Sequence, residues 1–174
     1  KERILEINQL IEKNYNFIEG DDKAAKDSSG KNKKNALVKI ITYERIKPLI
    51  HNLVDEFVLC GRCNFGYDIF DLSLSDPLNL NIYSSKDKAN YDWHTDGQQH
   101  PKIDTKLSVL INVSLKKYEG GKLHLFDNNK FEVPHLNTPG NAVMFKSAIN
   151  HMVTPVTKGE RRTLAIFIYG PCFR

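Results

Sequence analysis

Residues 106–126 read KLSVLINVSLKKYEGGKLHLF, two runs of β-forming residues on either side of a glycine pair. Branched and aromatic side chains pack well on a pleated surface, and YEGG at 118–121 supplies turn residues, so the stretch predicts two strands joined as a hairpin. The same signal recurs throughout the chain after residue 65. YDIFDLSL (67–74), LNLNIY (78–83), NAVMFKS (141–147) and TLAIFIYG (163–170) are short, rich in β-formers and bounded by Gly, Pro, Asn and Asp.

Before residue 65 the period is helical. Ile4, Leu5, Ile7, Leu10 and Ile11 fall on one face of a first helix. Ile46, Leu49, Ile50, Leu53 and Phe57 do the same over 44–59, with Pro48 starting or kinking that second helix. Between them, residues 19–35 (EGDDKAAKDSSGKNKKN) carry almost nothing large and apolar, which predicts a mobile loop able to close over a pocket. Helices gathered at the start and strands without interleaved helices favour a mainly β (α+β) fold over a parallel βαβ sheet. The expected form is an antiparallel sandwich or barrel buttressed by N-terminal helices. At 174 residues, one domain is expected, with a helical part at 1–65 and a β core at 66–174.

The composition, 40% hydrophobic and 26% charged, is that of a globular protein, and no apolar run approaches the ~20 residues of a membrane helix. A net charge of +4 with scattered lysines gives nucleic-acid binding little support. The opening KERILEINQLIEKN lacks the pattern of a secretory signal, so a cytoplasmic location is expected. Cys60 and Cys63 form a CxxC with no second pair to complete a zinc site, and read as small residues at a helix end.

The chemistry centres on NYDWHTDGQQH, residues 90–100, where His94 and Asp96 stand two apart. In an extended strand, such a spacing puts an imidazole and a carboxylate on one face. Alone, the pair is a weak signal, since H-x-D also occurs by chance as ordinary polar residues near a turn. His151, opening a strand-like segment after NAVMF, is the best third ligand, and two His plus one carboxylate hold one face of a non-haem Fe(II) while leaving the other open. Ten residues on, RRTLAIF puts Arg161, Thr163, Ala165 and Phe167 on one strand face and Arg162 on the other. A guanidinium fork beside a hydroxyl suits a carboxylate held bidentately; a surface ion pair is the alternative.

YDWHTDG (91–97), LINVSLKKYEGGKLHLF (110–126) and PGNAVMFKSAINHMVTPVTKGERRTL (139–164) together resemble the prolyl 4-hydroxylase-like branch of the Fe(II)- and 2-oxoglutarate-dependent dioxygenases. The likeness runs over about residues 66–170, and HMVTPVTKGER (151–161) is similar to the bacterial PKHD-type hydroxylases. It implies a double-stranded β-helix (jelly roll). It also implies that His94, Asp96 and His151 ligate iron, that Arg161 pairs with the distal carboxylate of 2-oxoglutarate assisted by Thr163, and that Tyr83 reaches the same co-substrate. Tyr91, Ile111, Leu123, Val153 and Phe167 would line the pocket, Ile111 standing where some prolyl hydroxylases have a tyrosine.

The reaction implied consumes O2 and 2-oxoglutarate, with ascorbate as accompanying reductant, releases succinate and CO2, and hydroxylates an unactivated C–H bond. Asp96 favours hydroxylation, since halogenating relatives vacate that carboxylate position. By analogy the substrate is a prolyl residue of a protein or peptide, with a free amino acid or other small molecule as the alternative. A rival of another class, a non-catalytic jelly-roll binding module, has no need of Arg161 and Thr163 beside a complete triad. His51, His100, His124 and His135 read as solvated or hydrogen-bonded, and the NVS at 112–114 as a coincidental glycosylation match. The sequence leaves the oligomeric state open.

Overall fold

The computed structural model describes residues 1–14, 16–17, 34–97 and 102–172. In chain order these form α1 (Glu2–Asn14), β1 (Asn16–Phe17), β2 (Lys34–Asn35), β3 (Leu37–Thr42), α2 (Tyr43–Phe65), β4 (Pro77–Ser84), β5 (Asn90–His94) and β6 (Ile103–Asn112). There follow β7 (Glu119–Gly120), β8 (Leu123–Asp127), β9 (Asn129–Glu132), β10 (Ala142–Lys146), β11 (Asn150–Val153), β12 (Val156–Lys158) and β13 (Glu160–Pro171). A larger sheet runs β1-β3-β4-β13-β6-β10 and a smaller one β2-β5-β11-β8-β9, with β12 and β7 as a separate pair. Every pairing is antiparallel. This is the jelly-roll sandwich with helical buttressing that the strand pattern and the resemblance predict.

Strand alternation divides the core in two. On β6 and β13, Leu107, Val109, Ile111, Leu164, Ile166 and Ile168 face the helices, where Ile7 and Ile11 of α1 and Ile46, Ile50 and Val54 of α2 cover them. Each such side chain, taken fully out of water, contributes about 1.5–3 kcal/mol, and that burial is what seats both helices. The opposite face of the same sheet meets the smaller sheet through Tyr83, Leu110, Phe145 and Ala165 against Leu123, Leu125 and Val153. A cavity opens between the sheets on this second side.

Several sequence expectations are corrected here. The helical part at 1–65 contains β3, which pairs with β4 in the larger sheet over six residue pairs, and also β1 and β2. The mobile-loop expectation for 19–35 lies outside the described residues except for Lys34 and Asn35, which form β2 against β5. The second helix is longer than 44–59, running through Pro48 and ending at Gly66, whose left-handed φ of 65° suits glycine. Cys60 and Cys63 therefore lie inside α2.

YDIFDLSL is not a strand. The Phe70 N–H donates to the Tyr169 carbonyl at 2.8 Å, but downstream the Asp76 carboxylate captures the Ser73 N–H at 2.8 Å, the local capture that breaks up ladders. Nor is YEGG a hairpin turn, because β6 and β8 belong to opposite sheets and Glu119–Gly120 pairs with β12 on the way across. Among the described residues no helix is long and apolar enough to cross a membrane.

Candidate active site

β5 and β11 are neighbours, and their register sets His94 directly opposite His151. His94 is the last residue of β5, so Asp96 lies just beyond the strand instead of on it; its N–H donates to the Ser147 carbonyl at 3.0 Å, which turns the carboxylate toward the histidines. The Asp96 oxygens stand 3.6 Å from His94 Nε2 and 3.3 Å from His151 Nε2. Cis ligands of an ion bound at about 2.1 Å lie about 3 Å apart, so these three side chains fit a metal after a small contraction. Each imidazole is oriented for it: the Nδ1 atoms face the carbonyls of Asp92 (2.7 Å) and Ile149 (3.0 Å), so Nδ1–H donates and Nε2, the atom that would ligate a metal, is turned toward the carboxylate.

The electrostatics agree with that arrangement. Burial, reinforced by the neighbouring His151, pushes the His94 pKa down to about 4, so the ring is neutral and ready to ligate. Burial opposes ionisation of Asp96, yet the contacts to His151 and the Ser108 hydroxyl outweigh it and hold the carboxyl below its usual range. Ser108 Oγ donates to Asp96 Oδ2 at 2.7 Å and is itself 2.9 Å from Ser147 Oγ. The Tyr91 ring stacks on His94 at 3.4 Å between centroids, and Phe145 packs edge-on to His151 at 4.9 Å. A carboxylate and two imidazole nitrogens, all within 4.8 Å, converge on a point that calls for positive charge.

Across the gap, the larger sheet presents Arg161 opposite Tyr83 in register. Arg161 is 1% exposed, its Nη1 reaches Thr163 Oγ1 at 3.3 Å, and its Nε and Nη2 have no hydrogen-bond partner among the described residues. Buried guanidinium nitrogens left unpaired are costly, and a carboxylate is the group that would satisfy such a fork. The guanidinium carbon lies 5.2 Å from the centre of the Tyr83 ring, and burial pushes that phenol up to about 12, so it is a neutral hydrogen-bond donor. Gly121, at φ 61°, makes room for this arginine: a Cβ there would stand 2.8 Å from Arg161 Cδ.

His94, Asp96, His151, Arg161, Thr163 and Tyr83 all line one cavity of about 450 Å³, together with Tyr91, Val153 and Phe167. Ile111 does not. It lies on the helix side of β6, paired with Leu164, while Leu110, paired with Ala165, faces the cavity; the pocket assignment was one residue out of strand parity. Leu123 is fully buried in the layer between the sheets, beneath the cavity lining instead of in it. His51 stands on α2, and His124 and His135 lie on or beyond β8, away from the lining; His100 lies outside the described residues. Asn112 of the NVS is buried, donating to Tyr118 Oη and the Leu136 carbonyl.

Sequence reasoning missed Lys34, Asn79, Asn81, Leu110, Ser108 and Gly121. A signal for two of them was present: Asn79, Asn81 and Tyr83 alternate with Leu78, Leu80 and Ile82 on a strand buried on both faces, and a polar face in such a strand marks a cavity.

Residues 78–169, more than half the chain, match the family model of the 2OG-Fe(II) oxygenase superfamily. The chain belongs to this superfamily. Within it, the chain is similar to the PKHD-type hydroxylase YbiX of Escherichia coli O157:H7, 36% identical over 104 residues that cover 56% of this chain and 42% of that protein. The match thus spans less than half the length of that curated relative. A Pseudomonas putida prolyl-4-hydroxylase shares the fold at a TM-score of 0.70 with 17% identity, over 97% of this chain and 84% of the other. So does the viral collagen prolyl hydroxylase of Paramecium Bursaria Chlorella virus-1, in its 2OG complex, at 0.67 and 17%, over 97% and 90%. These two likenesses concern the fold.

Proposed function

We propose that the protein is an Fe(II)- and 2-oxoglutarate-dependent dioxygenase that hydroxylates an unactivated C–H bond, with a prolyl residue of a protein or peptide as substrate. The observation that carries the reading is the buried Arg161 fork, with two unpartnered nitrogens, facing the same cavity as the His94–Asp96–His151 cluster. A non-catalytic module has no use for a desolvated guanidinium aimed at a metal site. Membership of the superfamily supports the reaction class, and the prolyl substrate is an analogy with the hydroxylases of this fold.

His94, Asp96 and His151 would hold the iron, and Arg161, assisted by Thr163 and Tyr83, the distal carboxylate of 2-oxoglutarate. With O2 bound there, iron and 2-oxoglutarate would supply the oxidising power for a hydroxylation whose by-products are succinate and CO2. The chain's own contributions are positioning and shielding. Nδ1–H bonds from the two histidines to Asp92 and Ile149 fix their tautomers, and Ser108 fixes the carboxylate. Tyr91 and Phe145, packed on His94 and His151, would shield a metal held there from water, and Val153, Leu110 and Ala165 give the cavity apolar lining.

Mass spectrometry of peptides and metabolites incubated aerobically with the iron-loaded protein and 2-oxoglutarate tests the reading. A gain of one oxygen on a proline-containing peptide, absent with Asp96→Ala, is expected. Succinate formation undiminished in Asp96→Ala would overturn the assignment.

A further inference from the structure

One face of β13 forms the floor of the cavity, with Arg161, Thr163, Ala165, Phe167 and Tyr169 lining it in turn. Arg161 stands at one end and Tyr169 at the other. Across from Tyr169 in register lies Thr105 of β6, which also lines the cavity. Regular alternation would not put it there. On β6, Leu110 faces the cavity and Ser108 reaches Asp96, while Leu107, Val109 and Ile111 face the helices; Thr105 has the parity of that second set. The exception comes from a shift in register. Ile168 pairs with Leu107 but Tyr169 pairs with Thr105, so Lys106 is an extra residue and β6 bulges. The bulge turns the Thr105 side chain into the cavity, as bulges beside active sites re-aim the side chains next to them.

Thr105 is 8% exposed, and its hydroxyl has no hydrogen-bond partner among the described residues; nor has the Tyr169 phenol. Buried hydroxyls are ordinarily paired, so two neighbouring ones left open on a cavity wall are a place for a ligand to bond. The pair comes next along the floor after Phe167 and Ser108, and Ser108 anchors Asp96. It therefore lies beyond that anchor from Arg161, past the stretch assigned above to 2-oxoglutarate. A hydroxyl offers one donor and two acceptor sites and carries no charge. Burial raises the Tyr169 pKa, and the charges of Asp76 and Asp96 add to the rise, so the phenol keeps its proton in a negative field. Of the groups that accept from two hydroxyls, a carboxylate would bring a further anion into that field, and an amide carbonyl would not.

We propose that Thr105 and Tyr169 bind an amide carbonyl of the substrate, so that the site takes a residue held within a chain and not one with a free carboxylate. The inference rests on the assignment of His94, Asp96, His151 and Arg161 to iron and 2-oxoglutarate. It gives the bulge in β6 a purpose, since without it the Thr105 hydroxyl would face the helices.

The full chain is loaded with Mn(II) in place of iron and saturated with 2-oxoglutarate. N-acetylproline N-methylamide and N-acetylproline are then added separately; they differ in carrying an amide carbonyl or a carboxylate. The paramagnetic relaxation of probe protons reports binding beside the metal without any turnover. The amide should bind at least tenfold more tightly than the acid. Removing one hydroxyl, in Thr105→Val or in Tyr169→Phe, should weaken the amide by about three- to tenfold, the worth of one hydrogen bond, and leave 2-oxoglutarate affinity within about twofold of wild type. Thr105→Ser, which keeps the hydroxyl, should bind the amide as the wild type does.

Equal relaxation of the two probes, a preference for the acid, or undiminished amide binding in either Thr105→Val or Tyr169→Phe overturns the inference, while 2-oxoglutarate binding leaves the parent reading standing. A loss in Thr105→Val that Thr105→Ser does not restore makes the residue structural and also overturns it. So does a tenfold loss of 2-oxoglutarate affinity in either variant, which would assign the pair to the co-substrate. Failure of the wild-type chain to bind Mn(II) and 2-oxoglutarate removes the parent reading, and this inference with it.

Discussion

Ser108 shows how much of the site is carried by residues outside the His94–Asp96–His151 cluster itself. Its hydroxyl donates to Asp96 and holds the oxygen that faces His151. Ser108→Ala should weaken Fe(II) binding by roughly 10–100-fold while leaving the fold intact, because outer partners of ligating carboxylates contribute at that level. Anaerobic metal titration followed by circular dichroism separates the two effects. Tyr83 carries a signature of its own. Its pKa is raised from 10 to about 12, chiefly by burial, so between those values the folded chain keeps a proton that the unfolded chain has lost. The stability this supports is complete below pH 10 and falls as the pH rises through 10 to 12. Tyr83→Phe should remove part of the alkaline fall in the urea midpoint. Tyr43 and Tyr169, both also raised by burial, account for a remainder.

At the scale of elements, residue type and spacing gave the chemistry more readily than the boundaries. The parity of β13 was readable from RRTLAIF alone, since alternation on an unbroken strand follows from the pleat, and Arg161 and Arg162 do face opposite sides. On β6 the same alternation turns Leu110 toward the cavity and Ile111 toward the helices, against the position that the resemblance implies for Ile111. β3 went unread because Leu37–Thr42 is six residues between a polar segment and a helix, and its strand character comes from pairing with β4, a long-range contact. Lys34 lay inside a run of charge that reads as loop, and nothing local distinguishes it from its neighbours.

α1 is fastened to the sheet by polar contacts that pattern alone does not reveal. Arg162 donates to Asn8 Oδ1 at 2.9 Å and reaches Glu12 at 3.4 Å, and Glu12 also pairs with Lys39 of β3. The hydrogen bond from Lys39 is the main reason the Glu12 carboxyl titrates below its ordinary 4.5. A depressed carboxyl contributes stability above its unfolded pKa and loses it as the pH falls, so Glu12→Gln should destabilise at pH 7 and less so at pH 3. The side chain is well exposed, so the pH 7 effect should be at most about 1 kcal/mol in a urea melt.

Taken whole, the molecule divides its labour between its two sheets. The smaller sheet supplies His94 and His151 and, just past β5, Asp96; the larger supplies Arg161, Thr163 and Tyr83. The helices hold the larger sheet from behind through an apolar layer that never reaches the cavity. A site built from two facing sheets needs both to be in register, and Arg161 is where that requirement is sharpest, since a one-residue slip would exchange it for Arg162. The decisive measurement is anaerobic titration of the Fe(II)-loaded wild type, Arg161→Ala and Arg162→Ala with 2-oxoglutarate. Loss of one partner from a buried, charge-assisted pair should weaken binding by about 2–5 kcal/mol, roughly 30-fold or more, in Arg161→Ala. Arg162→Ala, whose guanidinium serves α1, should stay within about twofold of wild type. Wild-type affinity in Arg161→Ala, or loss in Arg162→Ala alone, would contradict the account.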